Sequence, residues 1–149
     1  MAECVPLMRE AGDNYYTATV LNHTGIAYRS LGEYGKALGY FNEALELRKK
    51  TGDQRGIATT LSDLARLERD RGNLVEARQR IEEALAQVER VRLNVASPRL
   101  RTSYFASVQE YREFYIDLLM RLSQEKPSEQ LERVAFNASE TGRARSLLQ

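Results

Sequence analysis

The chain contains a single histidine, His23, and a single cysteine, Cys4. Together, a histidine and a cysteine could form a nucleophile pair in which the imidazole takes the thiol proton. A zinc site needs three or four closely spaced ligands, so these two residues are too few. We therefore expect His23 to be a packing or surface residue, and we predict no metal, no cofactor and no enzymatic activity. With one cysteine, no internal disulfide can form.

The abundant charged residues have the spacing of helix surfaces. Arg78 precedes Glu82 by four residues and Arg80 precedes Glu83 by three. Pairs at this spacing contribute only about 0.2–0.5 kcal/mol each, too little to define a site. No glycine-rich phosphate loop or Ser-His-Asp set is present. The net charge of +1 argues against a nucleic acid or an anionic membrane as partner.

A block that repeats after 40 residues must position these side chains. Gly12-Asp13 is matched by Gly52-Asp53. The other matched pairs are Leu21 and Leu61, Gly32 and Gly72, Ala37 and Ala77, Ala44 and Ala84, and Leu45 and Leu85. A period between about 20 and 50 residues is typical of stacked repeats. Single repeats of this kind bury their apolar faces only by stacking on their neighbours.

Each block is predicted to be a pair of helices. Glycine tolerates the left-handed conformation that ends a helix, and aspartate caps the start of the next one. The apolar residues between about Asn14 and Leu31 have helical spacing, and so do those between Tyr34 and about Lys50. Gly32-Glu33 and Gly72-Asn73 are predicted to be tight turns within the two hairpins.

Small and large residues alternate as helix pairs require. The first block has Leu21, Gly25, Tyr28, Ala37, Phe41 and Ala44, and the second has Leu61, Ala65, Ala77, Ile81 and Ala84. This pattern resembles the tetratricopeptide repeat (TPR) over residues 1–92. Glu68 and Lys49 depart from that family's aromatic and proline positions, and the period exceeds the usual length of about 34. The resemblance implies an all-α fold, a right-handed superhelical stack of antiparallel helix hairpins.

The repeat breaks after Val91. Ser97-Pro98 predicts a new helix start, and the helix should run to about Ser123. Its apolar stripe consists of Tyr104, Val108, Tyr111, Tyr115, Leu118 and Leu122. Ser128 is predicted to begin a last helix. We therefore divide the chain into the tail of a preceding repeat helix (1–11), two repeat units (12–51 and 52–92) and a longer C-terminal hairpin (93–149) that closes the stack.

Two stretches of the C-terminal hairpin carry a second resemblance. Residues 97–111 and 136–148 resemble the segments that precede the caspase-like CHAT domain of bacterial TPR–CHAT proteins. The resemblance implies that the chain is a fragment of a bacterial protein, cut at both ends. It also implies that the repeat array recruits for, or regulates, a CHAT domain absent from this fragment.

The TPR resemblance places a binding site on a concave face lined by the first helix of each hairpin. Its implied residues are Asn22, Ile26, Arg29, Ser62, Arg66 and Arg69. Arginine forks favour carboxylates, so the expected partner is a peptide or protein, acidic in character. The alternative is that these side chains are only solvated.

A structural role competes with partner binding. Repeat stacks need capping units, so exposed end helices would drive self-association into a homo-oligomer. No run of about 18 apolar residues is present, and we expect no membrane span. The N-terminus lacks the apolar core of a signal peptide, and the expected compartment is the cytoplasm.

Overall fold

The computed structural model describes residues 6–7, 10, 12–94 and 98–147, and their regular elements are all α-helices. The helices are α1 (Asn14–Ser30), α2 (Tyr34–Thr51), α3 (Gln54–Asp70), α4 (Leu74–Asn94), α5 (Pro98–Glu125) and α6 (Glu129–Leu147). Ahead of α1, Pro6, Leu7 and Glu10 are also helical. The rest of the predicted helix tail, including Cys4, lies outside the described residues.

The turns between the helices are those that the repeat predicts. Gly12, Gly32, Gly52 and Gly72 all have a positive φ, between 68° and 84°. Asp13 caps α1, since its Oδ1 accepts hydrogen bonds from the backbone N–H groups of Tyr15 and Tyr16. Asp53 caps α3 in the same way through the N–H of Gly56. The repeated Gly-Asp pair therefore ends one helix and begins the next in both places.

The helices pack in sequence order. The closest packing is within the pairs α1–α2 and α3–α4, and α2 also packs on α3. Helix α5 packs on α4 and forms a last hairpin with α6. The predicted all-α stack of helix hairpins is thus confirmed.

One large apolar core joins the second hairpin to its neighbours. Phe41, Leu64 and Ile81 are almost completely buried in it. From α5 it includes the predicted residues Val108, Tyr111, Leu118 and Leu122. Tyr15 and Tyr16 are exposed at the start of α1 and contact each other edge to face.

The structure differs from the predicted apolar run of α1 at Leu31, which is 73% exposed. Helix α1 ends at Ser30, and Leu31 follows as its C-cap. Leu31 therefore lies just beyond the last residue of α1 and outside the buried core.

Candidate functional site: the first-helix face

The predicted site residues belong to a face formed by α1, α3 and α5, called here the first-helix face. Helix α1 contacts α3 directly. Side chains link α3 to α5: Arg66 Nη2 donates to Glu110 Oε1 at 2.6 Å, and Tyr111 Oη lies 3.5 Å from Thr59 Oγ1. The face therefore continues across three helices, and the departure from the repeat in α5 does not interrupt it.

Two of the predicted site residues lie beneath this face. Asn22 and Ser62 are each only 2% exposed. Asn22 Nδ2 donates to Asp63 Oδ2 at 2.8 Å, and its Oδ1 accepts from Thr60 Oγ1 at 2.8 Å. Ile26 is half-buried and packs against the main core. Asn22 thus links α1 to α3, and the three residues form the floor of the face.

A buried arginine extends the polar floor to α2. Arg48, at 7% exposure, donates from Nη1 to the Gly56 carbonyl and to Thr60 Oγ1. Burial lowers the pKa of the Arg48 guanidinium, and the nearby Asp53 carboxylate opposes that shift. Arg48, Thr60 and Asn22 thus form a chain of hydrogen bonds that joins α2, α3 and α1.

Asp63 brings a carboxylate into the same floor. Burial raises the pKa of Asp63, while the hydrogen bond from Asn22 and the charges of Arg29 and Arg66 oppose the rise. Arg29 and Arg66 therefore lie near enough to the Asp63 carboxylate for their charges to favour its ionised form.

The three predicted arginines lie at the surface, and each has a carboxylate from this chain beside it. Their side-chain exposures are 20% for Arg29, 22% for Arg66 and 26% for Arg69. Arg69 donates from Nε and Nη2 to Asp70 Oδ1 at 3.1 and 2.9 Å. Arg29 Nε lies 3.6 Å from Asp70 Oδ2, and its buried Nη1 has no hydrogen-bond partner. The surface is therefore a charge-balanced patch of arginines and carboxylates.

Phe114 completes the patch, and sequence reasoning missed it. The guanidinium carbons of Arg66 and Arg69 each lie 5.1 Å from the centroid of its ring. Phe114 is 7% exposed, so the ring is a rigid base for two flat cations. Its position three residues after Tyr111, on the same side of α5, is the signal that could have found it.

The carboxylates Asp63 and Glu110 were likewise not predicted from the sequence. Charge alone does not distinguish them from the solvated acids on other helix faces. Only the contacts between α1, α3 and α5 select them.

Two groups with acid–base chemistry, His23 and Tyr111, belong to the helices of this face. His23 is exposed on α1, and burial raises the pKa of Tyr111, which disfavours an ionised phenol. Within residues 6–7, 10, 12–94 and 98–147, no group of three or more His, Cys, Asp or Glu side chains could hold a metal ion. In the same part of the chain, no helix has both the length and the apolar character of a membrane span.

Two hollows lie elsewhere on the molecule. One, of about 660 Å³, lies where the α3–α4 turn meets the end of α5 and includes Glu68, Arg71 and Lys126. The other, of about 570 Å³, lies between α5 and α6 and includes Met120 and Phe136. None of the six predicted site residues lines either hollow, and their role in partner binding stays a prediction.

Comparison with known families agrees with the repeat pattern. Residues 1–50 match one tetratricopeptide repeat model and residues 57–91 match another. No curated protein matches the chain. Over residues 1–50 and 57–91, the chain is therefore a tetratricopeptide repeat protein.

Proposed function

We propose that this chain is a protein-interaction module whose first-helix face binds a peptide or an extended segment of a partner protein. Tetratricopeptide repeats generally act as non-catalytic scaffolds for such interactions. The observation that carries the proposal is the pair Arg66 and Arg69, whose guanidinium carbons each lie 5.1 Å from the centroid of the Phe114 ring and whose side chains are still partly exposed. Aromatic and arginine side chains fixed in this way are typical of interface anchors.

The arginines favour a partner that carries carboxylates. A guanidinium offers a planar fork of donors that matches a carboxylate. Because Asp70 and Glu110 already lie beside these arginines, an acidic segment must compete with one of them. We expect such a segment to bind with modest affinity and to be sensitive to salt.

The test compares two double variants that lose the same charge. Arg66→Gln with Arg69→Gln removes both anchors, whereas Arg92→Gln with Arg121→Gln removes two exposed arginines that pair within their own helices. An array of acidic and neutral peptides of equal length is probed with each protein. Acidic peptides should bind the wild type and the control, but not the Arg66/Arg69 variant. Equal binding by both variants, with unchanged helical circular dichroism, would move the site off this face.

A more specific role rests on the resemblance of residues 97–111 and 136–148 to bacterial TPR–CHAT proteins. In that role the module recruits for, or regulates, a caspase-like CHAT domain, and it acts in the cytoplasm. The coding sequence that follows Gln149 tests the link. A domain with a His and Cys pair in a caspase-like setting would support it, and an unrelated domain would refute it.

A second candidate function is self-association, and exposed apolar side chains favour it. Leu7, Tyr15 and Tyr16 are exposed near the N-terminal end of the stack, and Met120 and Phe136 beside the hollow between α5 and α6. Light scattering over a concentration series should then show a dimer that Phe136→Glu weakens. A monomer at every concentration would remove this candidate.

A further inference from the structure

We propose that Glu110 is a built-in competitor at the first-helix face: it occupies Arg66 in the free chain and gives way to a carboxylate of the bound partner. This inference rests on the proposed function, because it concerns the regulation of the same site. The partner class is an acidic peptide segment, and the exchange replaces one carboxylate on Arg66 with another.

Arg66 is a preorganised receptor. It projects from α3, the central helix of the face, and its guanidinium lies 5.1 Å from the centroid of the Phe114 ring. Its side chain is 22% exposed, so part of it remains open to solvent. A donor held in place before binding loses little conformational entropy when a ligand arrives.

Glu110 is only loosely attached to that receptor. Its side chain is 66% exposed, and its described contact with Arg66 is one hydrogen bond of 2.6 Å, between Nη2 and Oε1. Exposed ion pairs contribute little to stability, since water solvates both charges and the long side chains lose entropy on pairing.

Asp70 is attached much more firmly. Its side chain is 27% exposed and accepts two hydrogen bonds from Arg69, and it also lies 3.6 Å from Arg29 Nε. Two arginines therefore hold Asp70, whereas one holds Glu110. A carboxylate of the partner therefore displaces Glu110 at lower cost than Asp70.

While Glu110 is paired with Arg66, that side chain cannot bind a carboxylate of the partner. The apparent affinity for the partner is therefore reduced in proportion to the fraction of Arg66 that is unpaired. With the usual strength of an exposed pair, its removal should tighten the binding of an acidic peptide about two- to sixfold. The effect requires Arg66, because Glu110 acts by covering that side chain.

The experiment titrates the full chain with an octapeptide of alternating Glu and Gly, followed by NMR chemical shifts. An octapeptide of alternating Gln and Gly is the neutral reference. Glu110→Gln should tighten acidic-peptide binding about two- to sixfold. Asp117→Asn makes the same charge change on α5, where Asp117 pairs with Arg121, and should leave binding nearly unchanged. Adding Arg66→Gln to Glu110→Gln should abolish the gain.

The outcomes separate this inference from the proposed function. If the acidic peptide binds the wild type through Arg66 and Glu110→Gln leaves its affinity unchanged, the competitor is refuted and the binding site stands. A gain of equal size in Asp117→Asn, or a gain that survives Arg66→Gln, also refutes the competitor. If the acidic peptide binds no variant better than the neutral one, both proposals fail.

Discussion

The first hairpin, formed by α1 and α2, and the second, formed by α3 and α4, divide the volume between their helices differently. In the first, Gly25 faces Phe41: a Cβ built on Gly25 would lie 2.7 Å from the Phe41 ring. The equivalent residues 40 positions later are Ala65 and Ile81. The side chains of Phe41, Ala65 and Ile81 are fully buried. A larger residue on one helix is thus matched by a smaller one on its partner, because close-packed interiors have few voids.

The turn ends of the two hairpins differ in chemistry. Tyr28 stacks on Tyr40 in the first hairpin, with ring centroids 5.3 Å apart. The residue equivalent to Tyr28 is Glu68, which is 5% exposed. Its carboxylate accepts hydrogen bonds from Arg71 and Asn73, which follow it in the turn. The buried acid is accommodated because the second hairpin has the donors Arg71 and Asn73 where the first has Leu31 and Glu33.

The last turns differ as well, and this difference decides what can stack next. Arg48 at the end of α2 bonds to the polar residues of α3. Its equivalent on α4 is Val88, which shares the main apolar core with Val108 and Tyr111 of α5. The same position of the repeat therefore forms a polar joint, a contact with the next helix, between α2 and α3 and an apolar joint between α4 and α5.

The largest effect should come from exchanging these joints. Val88→Arg buries a charge among apolar neighbours, with none of the acceptors that serve Arg48, and we expect a loss of at least about 3 kcal/mol in the free energy of unfolding. Val75→Arg is the control, because Val75 is 60% exposed on the same helix, and it should change stability by less than about 0.5 kcal/mol. Urea unfolding measures both. Similar losses in the two variants would show that the two joints are not distinct.

Next in size is the Gly25–Phe41 contact. Gly25→Ala should cost about 1–3 kcal/mol, because the new methyl group meets the Phe41 ring. Gly39→Ala, also within a helix but with nothing near its Cβ, should instead stabilise the chain by up to about 1 kcal/mol. Adding Phe41→Ile to Gly25→Ala reproduces the pair of the second hairpin and should recover part of the loss. Strict additivity in this double-mutant cycle would contradict the size compensation.

A smaller loss is expected when the first turn receives the acid of the second. Tyr28→Glu should cost roughly 1–2 kcal/mol, because the positions of the donors Arg71 and Asn73 are occupied there by Leu31 and Glu33. Adding Leu31→Arg and Glu33→Asn transfers the whole cluster and should restore most of the stability. Thermal melts of the single and triple variants test this. A triple variant no more stable than Tyr28→Glu would show that local donors do not explain the buried acid.

The smallest effect should be on the pH dependence of stability, through Asp63. Its pKa is raised by burial, so the folded chain binds this proton more tightly than the unfolded chain does. The resulting stabilisation is full below the unfolded pKa of about 3.9 and is lost as the pH rises through the folded pKa. Asp63→Asn cannot ionise. Relative to the wild type, it should gain stability as the pH rises from about 3 to about 7.

Melts across that pH range measure the difference, and Asp117→Asn on the exposed side of α5 is the matched control. A flat difference between Asp63→Asn and the wild type would mean that Arg29 and Arg66 fully offset the burial of Asp63.

The hairpins themselves could be predicted from the sequence, because helix ends and helix faces depend on residues close together in the chain. Asp13 and Asp53 bond to N–H groups two or three residues away. The αL glycines at 12, 32, 52 and 72 stand where the repeat predicts them. Leu31 shows the limit of this reasoning, since it continues the apolar spacing of α1 and is nevertheless exposed at the end of the helix.

The sequence by itself determined the repeat, the helices and the positions of the arginines, because these follow from local spacing. Only the tertiary structure decided which carboxylate meets which arginine and that Phe114 lies beneath two of them. Asn22 and Asp63 are 41 residues apart, and Arg66 and Glu110 are 44 apart. Such pairs depend on how neighbouring helices rotate and cross, and that geometry follows from the packing of the whole interface.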